Sequence, residues 1–270
     1  MEINRSNINE IVQKASLRPD KDYGQNFLVE PTISKRIVDA LNLQENETVL
    51  EVGPGLGSLT HFICESNVKI DAIDIDIRMI NFLRIIYQNF SNVNIVENDI
   101  RKQDVSHYEK VIGNLPYNIT TETIQYFLLN AVKTERMVFM IQSEALNRFY
   151  DVCGKDYGPV SVLLHLLGSI EKLFTVKAGN FYPAPKCSSV VFAIDLDGHK
   201  NRKEATRAFV LAKQLFQNRR KTISNNMLNV LKNKDLVIEV CEKLGINPLS
   251  RPEELPPETY LAISKYLDSK

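Results

Sequence analysis

No apolar run in the sequence is long enough to span a membrane, and the opening residues, MEINRSNINE, contain no hydrophobic stretch of the secretory type. Neither a membrane span nor a signal peptide is expected. Cysteine is sparse: Cys64, Cys153, Cys187 and Cys241 lie far apart and form no CxxC pair. The four histidines are equally scattered. That spacing argues against structural zinc or any other metal site and for thiols kept reduced in a cytosol. Net charge is absent too, with 33 basic and 33 acidic residues, so the total suggests no polyanion partner. Neither internal repeats nor low-complexity tracts occur.

What is present is the composition of a soluble globular protein with a sizeable core: 270 residues, 44% hydrophobic and 24% charged. The charge is unevenly distributed. Between His199 and Lys221 there are eight bases (Lys200, Arg202, Lys203, Arg207, Lys213, Arg219, Arg220, Lys221) and one acid, Glu204. A concentrated basic segment in a neutral chain is what a phosphate-backbone footprint looks like, and also what a solvated helix face looks like.

Periodicity gives the architecture. Short β-branched or apolar runs at 48–52, 68–74, 93–99, 110–115 and 137–142 read as strands. Helical patterns at 32–41, 59–64, 77–86, 122–129 and 145–150 alternate with them. VSVLLHLL reads as a further helix, and FTVKAGNFYP and SSVVFAIDL as a closing pair of strands. Tyr87 and Phe90 read as core. The alternation predicts an α/β fold: a Rossmann-like, open, mostly parallel sheet with helices on both faces. The polar stretch DLDGHKNRKE reads as a boundary, beyond which the pattern is purely helical. The expected division is therefore 1–198 as the catalytic domain and 199–270 as a small all-helical domain.

EVGPGLG, residues 51–57, follows a strand and precedes a helix. Glycines there let backbone approach a ligand, and the helix start offers free N–H groups. Asp74 ends the next strand, 21 residues after Gly53, where a carboxylate can accept from ribose hydroxyls. The spacing is G-x-G-x-G and not the dinucleotide G-x-G-x-x-G. Glu51 would repel a pyrophosphate and suits a cation, such as the ammonium or sulfonium of S-adenosylmethionine. Asp99 ends the third strand, within reach of an adenine amine.

GNLPYNIT, from Gly113 to Thr120, ends the fourth strand on the same sheet edge. An exocyclic aromatic amine is a poor nucleophile because its lone pair is delocalised into the ring. The side-chain oxygen of Asn114 and the carbonyl of Leu115 can each accept one of its N–H bonds, and Pro116 would fix the carbonyl's direction. Such acceptors favour a pyramidal nitrogen with exposed lone-pair density. Tyr117 can lie against the base as a flat wall.

GQNFL (24–28), EVGPGLG, NLPYNIT, FYPAPK (181–186) and QNRRKTISNNML (217–228), in this order, resemble the rRNA adenine N6,N6-dimethyltransferases from about residue 20 to the end of the chain. YGPVSVLL, RRKT and the ending RPEELPPETYLAI look like the branch that dimethylates two adjacent adenosines in the 3′-terminal hairpin of small-subunit (16S) rRNA during ribosome maturation. The other branch dimethylates a large-subunit adenosine and confers macrolide resistance. A DNA-adenine or glutamine methyltransferase and a non-enzymatic ribosome-assembly factor are rivals from outside the pair. The resemblance implies S-adenosylmethionine as cofactor, with Gln25, Asn26 and Leu28 as a cofactor lid. Glu51, Gly53, Gly55, Asp74, Asp99 and Asn114 would complete the cofactor site. It implies Asn114, Leu115, Pro116 and Tyr117 at the reacting amine, and Phe181 stacking on the flipped adenine from the face opposite Tyr117. Lys213, Arg219, Arg220 and Lys221 would contact RNA phosphates. The expected partner is small-subunit rRNA or the precursor small subunit, met by a cytoplasmic monomer. Asp74 stands where the family usually carries Glu, and Asp76 nearby is a possible second acid.

Overall fold

The central strand-forming segments are apolar on both faces, and the structure, a computed structural model describing residues 1–14, 25–116 and 119–270, shows why. Two compact units are present, one formed by Met1–Glu144 with Glu171–Leu196, the other by Ala145–Ile170 with Asp197–Lys270. The first unit opens with α1 (Ile8–Lys14), β1 (Phe27–Leu28) and α2 (Pro31–Asp39). It continues through β2 (Thr48–Val52), α3 (Thr60–Cys64), β3 (Lys69–Asp74), α4 (Ile77–Ile86), β4 (Val93–Glu97), β5 (Lys110–Asn114), α5 (Thr120–Asn130) and β6 (Arg136–Gln142). After α6 (Asn147–Tyr150) and α7 (Pro159–Leu167) come β7 (Gly168–Val176), β8 (Phe181–Tyr182) and β9 (Ser189–Leu196).

Seven strands form one sheet in the order β4-β3-β2-β5-β6-β9-β7. Pairings from β4 through β6 are parallel, and β9 runs antiparallel to β6, with Gln142 opposite Ser189. A strand covered by helices on both faces has no polar side, which is why Met137 to Ile141 of β6 are all apolar and fully buried. The helices begin where capping chemistry allows. Pro31 opens α2, and the Asp76 carboxylate accepts the Arg78 N–H at the start of α4. The expected closing strand pair forms differently from the expectation. β9 does close the sheet, but its other neighbour is β7, which begins earlier, at Gly168. The FYP portion instead makes a separate ribbon: β8 pairs with β1, Phe27 facing Tyr182 and Leu28 facing Phe181. Tyr87 is core, whereas Phe90, expected there, is largely exposed and meets Tyr87 edge-on at 5.5 Å.

Chain order reverses between β2 and β5. Strands β2, β3 and β4 run outward on one side, β5 and β6 on the other. At such a switch the loops diverge and leave a crevice beyond the carboxyl ends of the two strands. Val52 pairs with Gly113 there. A Cβ on Gly113 would stand 2.6 Å from the Val52 carbonyl oxygen, so only glycine permits this strand spacing.

The second unit continues with α8 (Arg202–Leu215), α9 (Ile223–Leu231), α10 (Lys234–Leu244) and α11 (Pro257–Asp268). Its composition differs from a single cut at 198, because Ala145–Ile170 groups with these C-terminal helices. The reason is the apolar α7, which buries Val162, Leu163, Leu164, Leu166 and Leu167 and packs on α8 and α11. Among the described residues, no helix is long and apolar enough to cross a membrane.

Candidate active site

The loop after β2 folds tightly because Gly53, Gly55 and Gly57 all take positive φ, 64°, 56° and 88°. The Gly53 N–H donates to Ile73 at 2.9 Å, and a Cβ on Gly55 would press on the Phe27 ring at 3.2 Å. Backbone therefore lines this end of the sheet where a side chain would otherwise fill it.

Two acids sit under the glycine turn. Glu51, 1% exposed on β2, accepts the Thr60 hydroxyl at 2.7 Å. Burial pushes its carboxyl up to about 7 against the lowering effect of the Thr60 bonds. Asp74 accepts the Asp76 N–H at 2.9 Å on one oxygen and the Gly55 N–H at 3.4 Å on the other. Burial raises it to about 6, with these N–H bonds acting in the opposite sense. Among the described residues, neither acid has a lysine, arginine or histidine at ion-pair distance.

Asp76 is different. Its Oδ1 accepts the Arg78 N–H and Nε at 3.0 and 2.9 Å, and its Oδ2 accepts Arg78 Nη2 at 2.6 Å and Gln25 Nε2 at 2.8 Å. Burial opposes ionisation, but these donors prevail and hold the carboxyl below its usual range. With four donors on two oxygens, Asp76 has little capacity left to accept from a ribose, whereas Asp74 accepts only backbone N–H groups. Asp99 pairs with Arg101, accepting Nε at 3.0 Å and Nη2 at 2.8 Å, and these bonds hold its carboxyl low. It stands near the ends of β3 and β4, where the Asn98 N–H donates to the Asp74 carbonyl at 3.0 Å.

Asn114 ends β5 across the crevice from Gly53. Its Nδ2 donates to the Asn26 carbonyl at 3.2 Å. A carbonyl only accepts, so this contact fixes which end of the amide is NH₂ and leaves Oδ1 as the acceptor on the other side. The Leu115 N–H is held by Met140 at 3.0 Å, and the Pro116 carbonyl accepts the Thr120 hydroxyl at 2.9 Å. The turn is thus tied to β6 on one side and to the start of α5 on the other. Tyr117 lies outside the described residues.

The lid residues divide. Gln25 and Asn26 meet Asp76 and Asn114, whereas Leu28 is buried in a core cluster with Ile37, Val38 and Phe181. Phe181 itself is only 4% exposed within that cluster. Stacking on a base would require its ring to be uncovered. In the second unit, Lys213, Arg220 and Lys221 are exposed, but Arg219 is engaged internally. Its Nη2 donates to the Gly154 carbonyl at 3.2 Å, its Nε lies 3.7 Å from Glu253, and it sits 5.6 Å from the Phe216 ring. Arg207 is likewise paired, with Asp268 at 2.5 Å.

Sequence reasoning missed Thr60, Arg78 and the contact of Asp76 with Gln25. Thr60 and Glu51 are nine positions apart with no spacing rule to connect them. Asp76 was noted only as a possible second acid beside Asp74, and an aspartate just before a helical run is the capping signal that could have shown its place at the start of α4.

The chain matches the ribosomal RNA adenine dimethylase family over residues 16–269. It is 35% identical over 269 residues to ribosomal RNA small subunit methyltransferase A of Alkaliphilus metalliredigens, covering 94% of each chain. It is 33% identical over 258 residues to the protein of that name from Malacoplasma penetrans, covering 93% of this chain and 92% of that one. Its fold is shared with a dimethyladenosine transferase from Plasmodium falciparum, at TM-score 0.75 and 23% identity over 90% of this chain and 98% of the other. It is also shared with the 23S rRNA methyltransferase ErmE, at TM-score 0.70 and 22% identity over 90% and 100%.

Proposed function

The chain belongs to the ribosomal RNA adenine dimethylase family, and from that premise we propose that it dimethylates N6 of two adjacent adenosines in the 3′-terminal hairpin of small-subunit rRNA. It is an S-adenosylmethionine-dependent rRNA adenine dimethyltransferase. Relatives that span nearly the whole chain bear the small-subunit name, and this favours that substrate over large-subunit rRNA. The likeness to ErmE is one of fold.

The residues present fit the cofactor. The glycine turn at 53–57, with three residues at positive φ, brings backbone rather than side chains to the carboxyl end of β2. Asp74 retains acceptor capacity for ribose hydroxyls, and Asp99, whose carboxylate Arg101 holds, is the proposed partner of the adenine amine. Glu51, buried without a cation among the described residues, suits a positively charged group. When bound, S-adenosylmethionine supplies a methyl group already activated by its sulfonium.

The observation that carries the reading is the orientation of Asn114 at the strand-order switch. With its NH₂ taken by Asn26, Asn114 presents Oδ1 as an acceptor for an incoming amine. An acceptor there and a second at the Leu115 carbonyl draw the N–H bonds out of the ring plane and raise lone-pair density on nitrogen. The base must leave its stack to reach them. Tyr117 and Phe181 are the proposed stacking faces, the latter once its ring is uncovered. On the second unit, Lys213, Arg220 and Lys221 are the proposed phosphate contacts, which position RNA without reading sequence. We place the enzyme in the cytoplasm, acting as a monomer on precursor small subunits.

The test is transfer of labelled methyl groups to unmethylated small subunits and, separately, to protein-free large-subunit rRNA, with Asn114→Ala alongside. Dimethyladenosine in small-subunit rRNA, lost in the variant, is the expected result. Label confined to large-subunit rRNA would assign the resistance-type activity. No label on either RNA, with cofactor still bound, would favour a non-enzymatic assembly factor.

A further inference from the structure

Asp76 is 4% exposed and touches three functional segments at once. Its N–H holds the Asp74 carboxylate at 2.9 Å. Its Oδ2 holds Gln25 at 2.8 Å, 51 residues away in sequence. The residue after Gln25 is Asn26, whose carbonyl receives the Asn114 amide at 3.2 Å. Arg78 grips both carboxylate oxygens of Asp76, so the anchor is itself fixed.

Capping α4 would need only the bond from Oδ1 to the Arg78 N–H. The second oxygen, turned to Gln25, has no part in that cap. Gln25 is separated from the Asn26 carbonyl only by the backbone torsions of Asn26, and β1 fixes Phe27 on the other side, so holding Gln25 restricts where that acceptor can lie. We propose that Asp76 is a positioning residue for methyl transfer, acting through Gln25 and the Asn26 carbonyl on the amide of Asn114. The inference rests on the reading of Asn114 as the group that receives the target amine.

The link can be inverted chemically. Gln25→Glu sets one carboxylate against another and breaks the contact. Asp76→Asn then supplies an NH₂ that can donate to Glu at position 25, Arg78 Nη2, which loses its acceptor on residue 76, can turn to the same Glu carboxylate, and asparagine still caps the helix. The expected result is a roughly tenfold fall in kcat for Gln25→Glu, a smaller fall for Asp76→Asn, and a double variant within about threefold of the parent enzyme. A double variant whose loss is the product of the two single losses would overturn the proposal, because a purely structural Asp76 gives independent effects. The second measurement needs no RNA. The side-chain NH₂ resonances of Asn114, assigned by their disappearance in Asn114→Ala, should shift in Gln25→Glu and return in the double variant. Resonances that stay in place in Gln25→Glu would also overturn it. Failure of the parent enzyme to methylate either rRNA would defeat the functional reading alone, since the resonances still decide the inference.

Discussion

Two glutamates at opposite edges of the central sheet, Glu109 and Glu51, are treated in opposite ways. At the amino edge, Glu109 accepts both the N–H of Thr48, at 2.7 Å, and its hydroxyl, while Lys110 lies between Glu47 at 3.3 Å and Glu135 at 3.4 Å. Burial raises the Glu109 carboxyl, but the Thr48 bonds win and its pKa falls below the usual value. At the carboxyl edge, Glu51 also accepts a threonine hydroxyl, yet burial wins and the group rises to about 7. One threonine partner stabilises an acid that keeps some solvent and does not suffice for one that keeps none. An edge whose charges are satisfied holds the fold. An edge whose charges await a partner costs stability until a ligand arrives, and that is where binding belongs.

The largest expected effect falls on the carboxyl edge. Asn114→Ala removes the acceptor proposed to receive the target amine and should lower single-turnover methyl transfer by about 10²–10³-fold, with melting temperature nearly unchanged. A matched loss of folding would place Asn114 with the structural groups and erase the contrast between the edges.

Next comes pH. The Glu51 pKa is raised on folding, so its protonated form favours the folded ligand-free protein. Its contribution is fully present below the ordinary value of 4.5 and is lost as pH rises through about 7. Cofactor affinity should do the reverse, strengthening as pH passes through about 7 and levelling above it. Glu51→Gln should flatten both profiles in calorimetry and thermal melts. Glu109 has the opposite sign. Its depressed pKa gives stability above the ordinary value of 4.5 that is lost in acid, and Glu109→Gln should lower the neutral melting temperature. Equal pH profiles for the two variants would break the comparison.

A purely steric test sits between the edges. Gly113→Ala places a methyl 2.6 Å from the Val52 carbonyl oxygen and should cost about 1–3 kcal/mol in denaturant unfolding.

The smallest effects come from applying the same contrast to neighbouring arginines. Arg219 is tied to Gly154 and Glu253, whereas Arg220 is exposed. Arg219→Ala should lower stability by about 1 kcal/mol, roughly 2 °C in melting temperature. Arg220→Ala should leave the melt in place and reduce the salt dependence of RNA binding by about one unit of slope. Identical behaviour of the two would show that internal engagement does not separate them.

The sheet was legible because buried parallel strands must be apolar on both faces, and Val49, Val111 and Met137 to Ile141 read that way without help. The glycine turn and Asn114 were legible because backbone conformation and amine chemistry restrict the residue type. The β1–β8 ribbon was not. Two-residue strands carry too little pattern, and Phe27 and Tyr182 are 155 positions apart.

Some of this protein was determined by the sequence alone: which segments become strands and helices, where backbone must turn left-handed, and which side chains could receive an amine or a cation. These follow from local sterics and local chemistry. The tertiary structure alone decided that Asp76 reaches Gln25, that Arg219 faces Glu253, that α7 joins the C-terminal helices, and that Glu51 is buried with Thr60 and no cation among the described residues. Each of those depends on what a side chain meets after distant segments have packed, and no spacing rule along the chain encodes that meeting.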